Sequence, residues 1–253
     1  MVSIKELTFR GFRIQYNDPH DIAAIIESYI LNVYRIEKIK RGKVVVDLGA
    51  GIGEFALLAS DKVGEGGKVI AIEPSPDDFK TLQDNIRLNG CNNVIPINCA
   101  VSDKKERLIL KFKGKEFEAE AETLSDILSN FNIAVNSLNY LKMDIEGGEK
   151  SVIPSSIDII KRIDYLAIEI HDAFSSELIP YMSNLGFEFS RIERKEYLFN
   201  AIRQAIIHPF DVYKMWKAFT STGENPGFGK ISSGIDISKS KELVVGLFYK
   251  SKI

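Results

Sequence analysis

Five short runs of aliphatic and β-branched residues, interleaved with segments of helical period, constrain this 253-residue chain more than any other feature. The runs are KVVVDL (43–48), KVIAIE (68–73), NVIPIN (93–98), YLKMDI (140–145) and YLAIEI (165–170). Nearly continuous apolar runs suit strands covered on both faces, as in a parallel sheet. EFALLASDKV and SPDDFKTLQDNIRLN, which fill the first two gaps, read as helices. The second opens on Ser75-Pro76, a cap and first-turn pair, and stops at Asn89-Gly90. Strand–helix–strand repetition implies right-handed crossovers and an α/β, doubly wound sheet.

The flanks differ. Residues 19–40 read as one helix, with Ile22, Ile25, Ile26 and Ile30 at helical spacing. Residues 106–118 read as a hairpin turning at Lys113-Gly114. A sixth strand, expected to run parallel to the others, follows Gly186, and a last strand (ELVVGLFYK) closes the chain. Between them, 197–219 has helical character broken near Pro209, read as core or lid packing in preference to a membrane-surface role. Residues 221–236, with Gly223, Gly227, Gly229 and Gly234, read as a loop able to close over a bound acceptor. The expected division is an N-terminal helical cap (1–42) and a main domain (43–253) with an insertion at about 193–242.

Composition narrows the function. Apolar residues make up 45% and charged residues 27%, an ordinary globular balance that excludes disorder. The 33 basic and 35 acidic side chains nearly cancel, so global charge gives no nucleic-acid footprint. Cys91 and Cys99 form neither a disulfide framework nor a zinc-ligand spacing, which favours a reducing compartment. No apolar run is long enough to span a membrane, and the polar start is no signal peptide. A cytoplasmic protein is expected.

The sharpest motif is VVVDLGAGIGEFAL (44–57), where Asp47, Gly49, Ala50, Gly51 and Gly53 lie between a strand and a helix. Glycines there permit a tight turn and let a ligand touch the backbone. A dinucleotide fingerprint would need glycine at position 54, where Glu54 stands, so a nicotinamide dehydrogenase is disfavoured. Twenty residues past Gly53 the second run ends in Glu73-Pro74, and an acid there can accept both hydroxyls of a ribose.

D-x-G-x-G-x-G followed by I-E-P resembles motifs I and II of class I S-adenosylmethionine-dependent methyltransferases. NCAVSD (98–103), LKMDIEGGE (141–149) and IEIHD (168–172) resemble, more narrowly, the FkbM family. The resemblance implies a seven-stranded Rossmann-like methyltransferase fold, S-adenosylmethionine as donor, and usually an oxygen nucleophile on a small molecule or sugar. It places Asp47, Gly49, Ala50, Gly51, Gly53, Glu73, Pro74 and Asp144 around the donor. Where many methyltransferases carry an adenine-binding acid, Cys99 stands here, so adenine recognition falls to Cys99, Ala100 and Val101 backbone or to Ser102 and Asp103.

The acidic strand ends carry the expected chemistry. Lys142, Asp144 and Glu146 share one side of an extended chain, and ligands bind outside the carboxyl ends of open α/β sheets. Lys142 and Asp144 can also form a buried ion pair. Glu169 and His171 share a side of the next strand; an acid there needs a partner, and Lys142 is the candidate. His171 is read as the general base and Asp144 as the group that orients substrate or donor. His20 and His208 are read as surface or packing residues. Asp144, Glu146, Glu149 and His171 have the ligand types for a divalent ion, but no metal is assigned. The reading is a methyltransferase acting on a hydroxylated small molecule, with nucleic acid disfavoured as partner. Methylation of RNA, protein or nitrogen, or non-catalytic nucleotide binding, are the alternatives.

Overall fold

The structure is a computed structural model that describes residues 5–171, 175–221 and 243–250. The chain opens on a hairpin, β1 (Lys5–Phe9) and β2 (Phe12–Tyr16), followed by α1 (Pro19–Ile26). Then come β3 (Val44–Leu48), α2 (Glu54–Val63), β4 (Lys68–Ile72), α3 (Pro76–Leu88) and β5 (Val94–Ile97). A small sheet and a helix follow: β6 (Ala100–Val101), β7 (Glu106–Phe112), β8 (Lys115–Glu122) and α4 (Leu124–Asn130). The second half contains β9 (Leu138–Met143), α5 (Glu149–Ser155), α6 (Ile157–Ile160), β10 (Tyr165–His171) and α7 (Ser175–Asn184). It ends with β11 (Phe187–Arg191), α8 (Arg194–Ile207), α9 (Pro209–Thr220) and β12 (Leu243–Lys250).

Seven strands form the central sheet in the order β11-β12-β10-β9-β3-β4-β5. The ladders β10–β9, β9–β3, β3–β4 and β4–β5 are parallel, and β12 runs antiparallel to both neighbours. β11 therefore points the same way as β10, as the sequence predicts, although its ladder with β12 is antiparallel. Chain order reverses between β3 and β9, and there the carboxyl ends of both strands open onto one crevice. All five residues of β3 and all six of β9 are buried, which is why these runs lack alternation. One apolar core lies against α1, α2 and the hairpin; a second packs Leu48, Leu141 and Met143 against α4, α5 and α7.

Three expectations need correction. The hairpin was not foreseen, although Leu7, Phe9, Ile14 and Tyr16 alternate with polar residues and are buried. Its turn, Arg10-Gly11, has φ of 51° and 85°, the left-handed pair of a two-residue hairpin. The helix expected over 19–40 stops early: Asp18 and Asp21 form a capping box, α1 ends at Ile26, and a π-turn covers Glu27–Leu31. Asn32, at φ 53°, then takes the left-handed conformation that ends the helix. The strand expected at 140–145 is shifted two residues back, because Asp144 leaves the ladder for the turn beyond it. The Lys113-Gly114 hairpin turn forms as expected, and the Lys113 ammonium reaches Asp21 at 2.5 Å and Asp78 at 3.2 Å. The expected loop 221–236 lies, beyond Ser221, outside the described residues.

Candidate active site

β3 delivers the chain to the crevice, and the glycines decide what happens next. The amides of Gly49 and Ala50 both donate to the carbonyl oxygen of Ile72, at 3.0 and 2.9 Å, folding the chain over the end of β4. Gly49 has φ 76°, and a Cβ there would stand 1.8 Å from the backbone oxygen of Asp144. Gly51 is different: a Cβ would meet only Glu54 Oε2, at 3.8 Å, so open space lies above it. Gly53 caps α2.

Glu73 is almost fully buried and works as a brace. Oε2 accepts the amide of Gly51 and Oε1 the amide of Ser75, each at 2.8 Å. Burial pushes its pKa up to about 7 despite those two donors. Asn98 adds a second tie, donating to the carbonyls of Glu73 at 2.8 Å and Pro74 at 3.2 Å. Each oxygen of Glu73 keeps a lone pair. The open space at Gly51, this braced acid and the fully buried carboxyl group of Asp47 together fit a ligand that brings hydroxyls and positive charge.

The second half of the crevice is an acidic cluster around one ammonium. Ladder register places Asp47, Lys142 and Ala167 in one row. Lys142 is buried; its Nζ donates to the carbonyl of Gly49 at 2.8 Å and lies 3.3 Å from Asp47 Oδ1 and 3.7 Å from Asp144 Oδ2. The ammonium also sits over the ring of Tyr34, 5.1 Å from its centroid. Burial alone would lower the Lys142 pKa, but Asp47, Asp144, Glu54 and Glu169 outweigh it and raise it. Burial pushes Asp47 up to about 6 and Glu54 to about 7, with Lys142 opposing both. Glu169 and Glu27 are raised well above the ordinary carboxylate value, by burial first and by Asp144 next. Five carboxyl groups thus share one ammonium, and burial disfavours the charged form of Asp47, Glu54, Glu169 and Glu27.

Not every expected residue lands where the sequence put it. Glu169 is hydrogen-bonded to Asp144 and also feels the charge of the expected partner Lys142. Glu146 falls beyond the strand, exposed, at φ 52°. Glu149 is buried and accepts the amide of Ile145 at 3.1 Å, turned into the loop's own backbone. Among the described residues no group of three His, Cys, Asp or Glu side chains is placed to hold a metal ion. Cys99 packs into the second core, where burial pushes its thiol to about 12. Ala100 and Val101 pair with β8, and the Ser102 hydroxyl lies between the carboxylates of Asp103 and Glu106, 3.2 and 3.0 Å away. His171 ends β10 opposite Leu243, at the same edge as Asp144; its side chain lies outside the described residues. His20 is exposed and His208 packs against Phe9.

Glu27 was missed. It reaches the cluster because the π-turn carries it there, and Tyr197 from α8 lies close enough to feel its charge. One signal was available: Glu27 is the single charge in the stretch IAAIIESYIL (22–31), and a lone acid on an apolar segment needs a reason.

A seven-stranded sheet with one antiparallel strand, a glycine turn after β3 and a buried acid after β4 defines a class I S-adenosylmethionine-dependent methyltransferase. The signature of the methyltransferase FkbM domain matches residues 47–189, and the chain belongs to that family. Its methyl donor is S-adenosylmethionine. The hexuronic acid methyltransferase AglP of Haloferax volcanii is 24% identical over 64% of this chain and 71% of its own. A tRNA (guanine(37)-N(1))-methyltransferase of Pyrococcus abyssi is 34% identical over 36% of this chain, which spans only 28% of that enzyme. The structure of a putative transferase from Pyrococcus horikoshii shares the fold, with a TM-score of 0.50 and 16% identity over 99% of this chain and 74% of its own.

Proposed function

We propose that the chain transfers the methyl group of S-adenosylmethionine to a hydroxyl oxygen of a small, sugar-like acceptor in the crevice between β3 and β9. The observation that carries this reading is the Asp144–Glu169 carboxyl pair beside Lys142 at the strand ends. When bound, the donor supplies an electrophilic methyl on a sulfonium. The chain's own residues do the rest. Backbone at Gly49, Ala50, Gly51 and Gly53 cradles the donor, and Glu73 with Pro74 receives the ribose hydroxyls. Asp47 faces its positive end. Asp144 accepts the proton of the acceptor hydroxyl, because a neutral alcohol is a poor nucleophile and a positioned base contributes about 10²–10⁴-fold. Glu169 holds that proton between two carboxylates, and Lys142 fixes Asp144. His171, at the same edge, is the competing base.

Two further facts favour a small acceptor. The net charge is −2, with no global basic excess to meet the phosphates that dominate nucleic-acid affinity. AglP also matches over far more of the chain than the tRNA enzyme does. Labelled methyl transfer to uronic acids, neutral sugars and a tRNA transcript tests the reading. Hydroxylated sugars should be methylated, with Asp144→Asn at least about a hundredfold slower and donor affinity within a few fold. Full activity of Asp144→Asn with loss in His171→Ala moves the base to His171, and labelling of the tRNA alone overturns the acceptor class.

A further inference from the structure

Eleven large hydrophobic side chains are exposed among the described residues, and eight of them sit on α8 and α9. Exposed apolar residues scattered singly need no explanation, but a concentrated patch does. Helical spacing puts Phe199, Ile202 and Ile206 on one outward face of α8, and Phe210 with Tyr213 on the outward face of α9. Ile206 is 74% and Phe210 80% exposed, at the two sides of the Pro209 junction. Between these helices and the first helical segment runs an apolar cavity of about 230 Å³, floored by Ile26, Ile30, Leu31, Met215 and Phe219. That floor includes the π-turn that carries Glu27 to the crevice.

Charge on the two helices is sorted by side. The acids turn inward: Glu196 pairs with Arg35 at 2.9 Å, and Asp211 accepts the Arg10 amide at 3.1 Å. Arg203, Lys214 and Lys217 are exposed beside the apolar faces, with no carboxylate in ion-pair reach among the described residues. Apolar and aromatic side chains fringed by unpaired cations are what a helix needs to lie in the interface of an anionic bilayer. A face-to-face contact between two copies is disfavoured, because interface cores are depleted of lysine.

We infer that α8 and α9 dock this enzyme on an anionic membrane surface, the apolar faces entering the headgroup region and Arg203, Lys214 and Lys217 meeting lipid phosphates. Flotation of the full chain with phosphatidylcholine vesicles, with and without phosphatidylglycerol, tests it. Binding should require the anionic lipid and weaken as salt rises. The Ile206→Ser, Phe210→Ser double variant should bind at least about tenfold more weakly, with S-adenosylmethionine affinity unchanged as the control for folding. The Lys214→Glu, Lys217→Glu variant should lose the preference for phosphatidylglycerol. Wild type that floats with neither vesicle, or an apolar double variant that binds as well as wild type, overturns the inference. So does a wild-type dimer that the double variant converts to monomer, which would give the surface to a second copy.

Discussion

Gly49 and the backbone carbonyl of Asp144 approach each other so closely that a β-carbon on Gly49 would lie 1.8 Å from the carbonyl oxygen. The contact joins the turn after β3 to the turn after β9, so one glycine sets the width of the crevice. Gly49→Ala must push two backbones apart and also place alanine at φ 76°, which costs about 1–2 kcal/mol before any clash. A fall in melting temperature on the order of 10 °C is expected by calorimetry. Gly51→Ala has room for the methyl group but still places alanine at φ 52°, so it should lose less melting temperature than Gly49→Ala while losing donor affinity. Equal behaviour of the two variants would show that steric closeness at Gly49 does not matter.

Glu73 braces the glycine turn through both oxygens. Glu73→Gln keeps one acceptor and should fold, but its amide nitrogen faces a backbone N–H. Hydrogen bonds to a charged group are worth about 1.5–3 kcal/mol, so donor binding should weaken at least about tenfold in titration calorimetry. Unchanged affinity in folded Glu73→Gln would confine Glu73 to the brace.

Among the described residues Lys142 is the only cation seated among the five carboxyl groups, and Lys142→Met strands them. Removing one partner of a buried pair typically costs about 3–5 kcal/mol. The carboxyl groups can escape by taking up protons, so the loss should be larger at pH 8 than at pH 5. Urea unfolding at the two pH values checks this, and a pH-independent loss would mean that packing over Tyr34, rather than charge, is what the residue supplies.

Asp47, Glu54 and Glu73 titrate higher in the folded chain, at about 6, 7 and 7, than their ordinary 3.8, 4.5 and 4.5. Across that window the folded state binds more protons than the unfolded state. Their contribution to stability is therefore complete below about pH 4 and is lost as pH rises through 6–7. Glu54→Gln removes one such group, so wild type should lose stability relative to this variant between pH 5 and 7.5. Parallel curves would show that Glu54 is ionised throughout.

Proton uptake by the cluster also bears on ligand charge. S-adenosylmethionine is a sulfonium cation, whereas S-adenosylhomocysteine lacks that charge. As the carboxyl groups ionise, the preference for donor over product should grow several-fold between pH 6 and 8, read by calorimetry with both ligands. A flat ratio would place the sulfonium away from Asp47 and Asp144.

Much of this protein was legible along the chain because its information is local. Period and length separate KVVVDL from EFALLASDKV, and Ser75, Pro76 and Gly90 act within a turn or two of where they stand. The glycine motif and Glu73 were readable for the same reason: adjacent parallel strands bring their carboxyl ends together by rule, so spacing alone predicts the neighbourhood. The Lys113-Gly114 turn and the break at Pro209 are likewise consequences of single-residue conformational limits.

Partnerships were decided only by the folded chain. That Glu169 bonds Asp144 as well as feeling Lys142 depends on side-chain reach across a ladder, which register narrows but does not fix. Asn98 binds carbonyls on another strand end, and Glu27 arrives from the π-turn more than a hundred residues from Lys142 in sequence. The outward face of α8 and α9 has the composition of a core, and only the position of the sheet shows that nothing from the sheet covers it. Local sequence specifies backbone conformation through short-range sterics and hydrogen bonding. Which charges share a proton, and which apolar faces meet solvent, depends on distances between segments remote in sequence, and those exist only once the chain has folded.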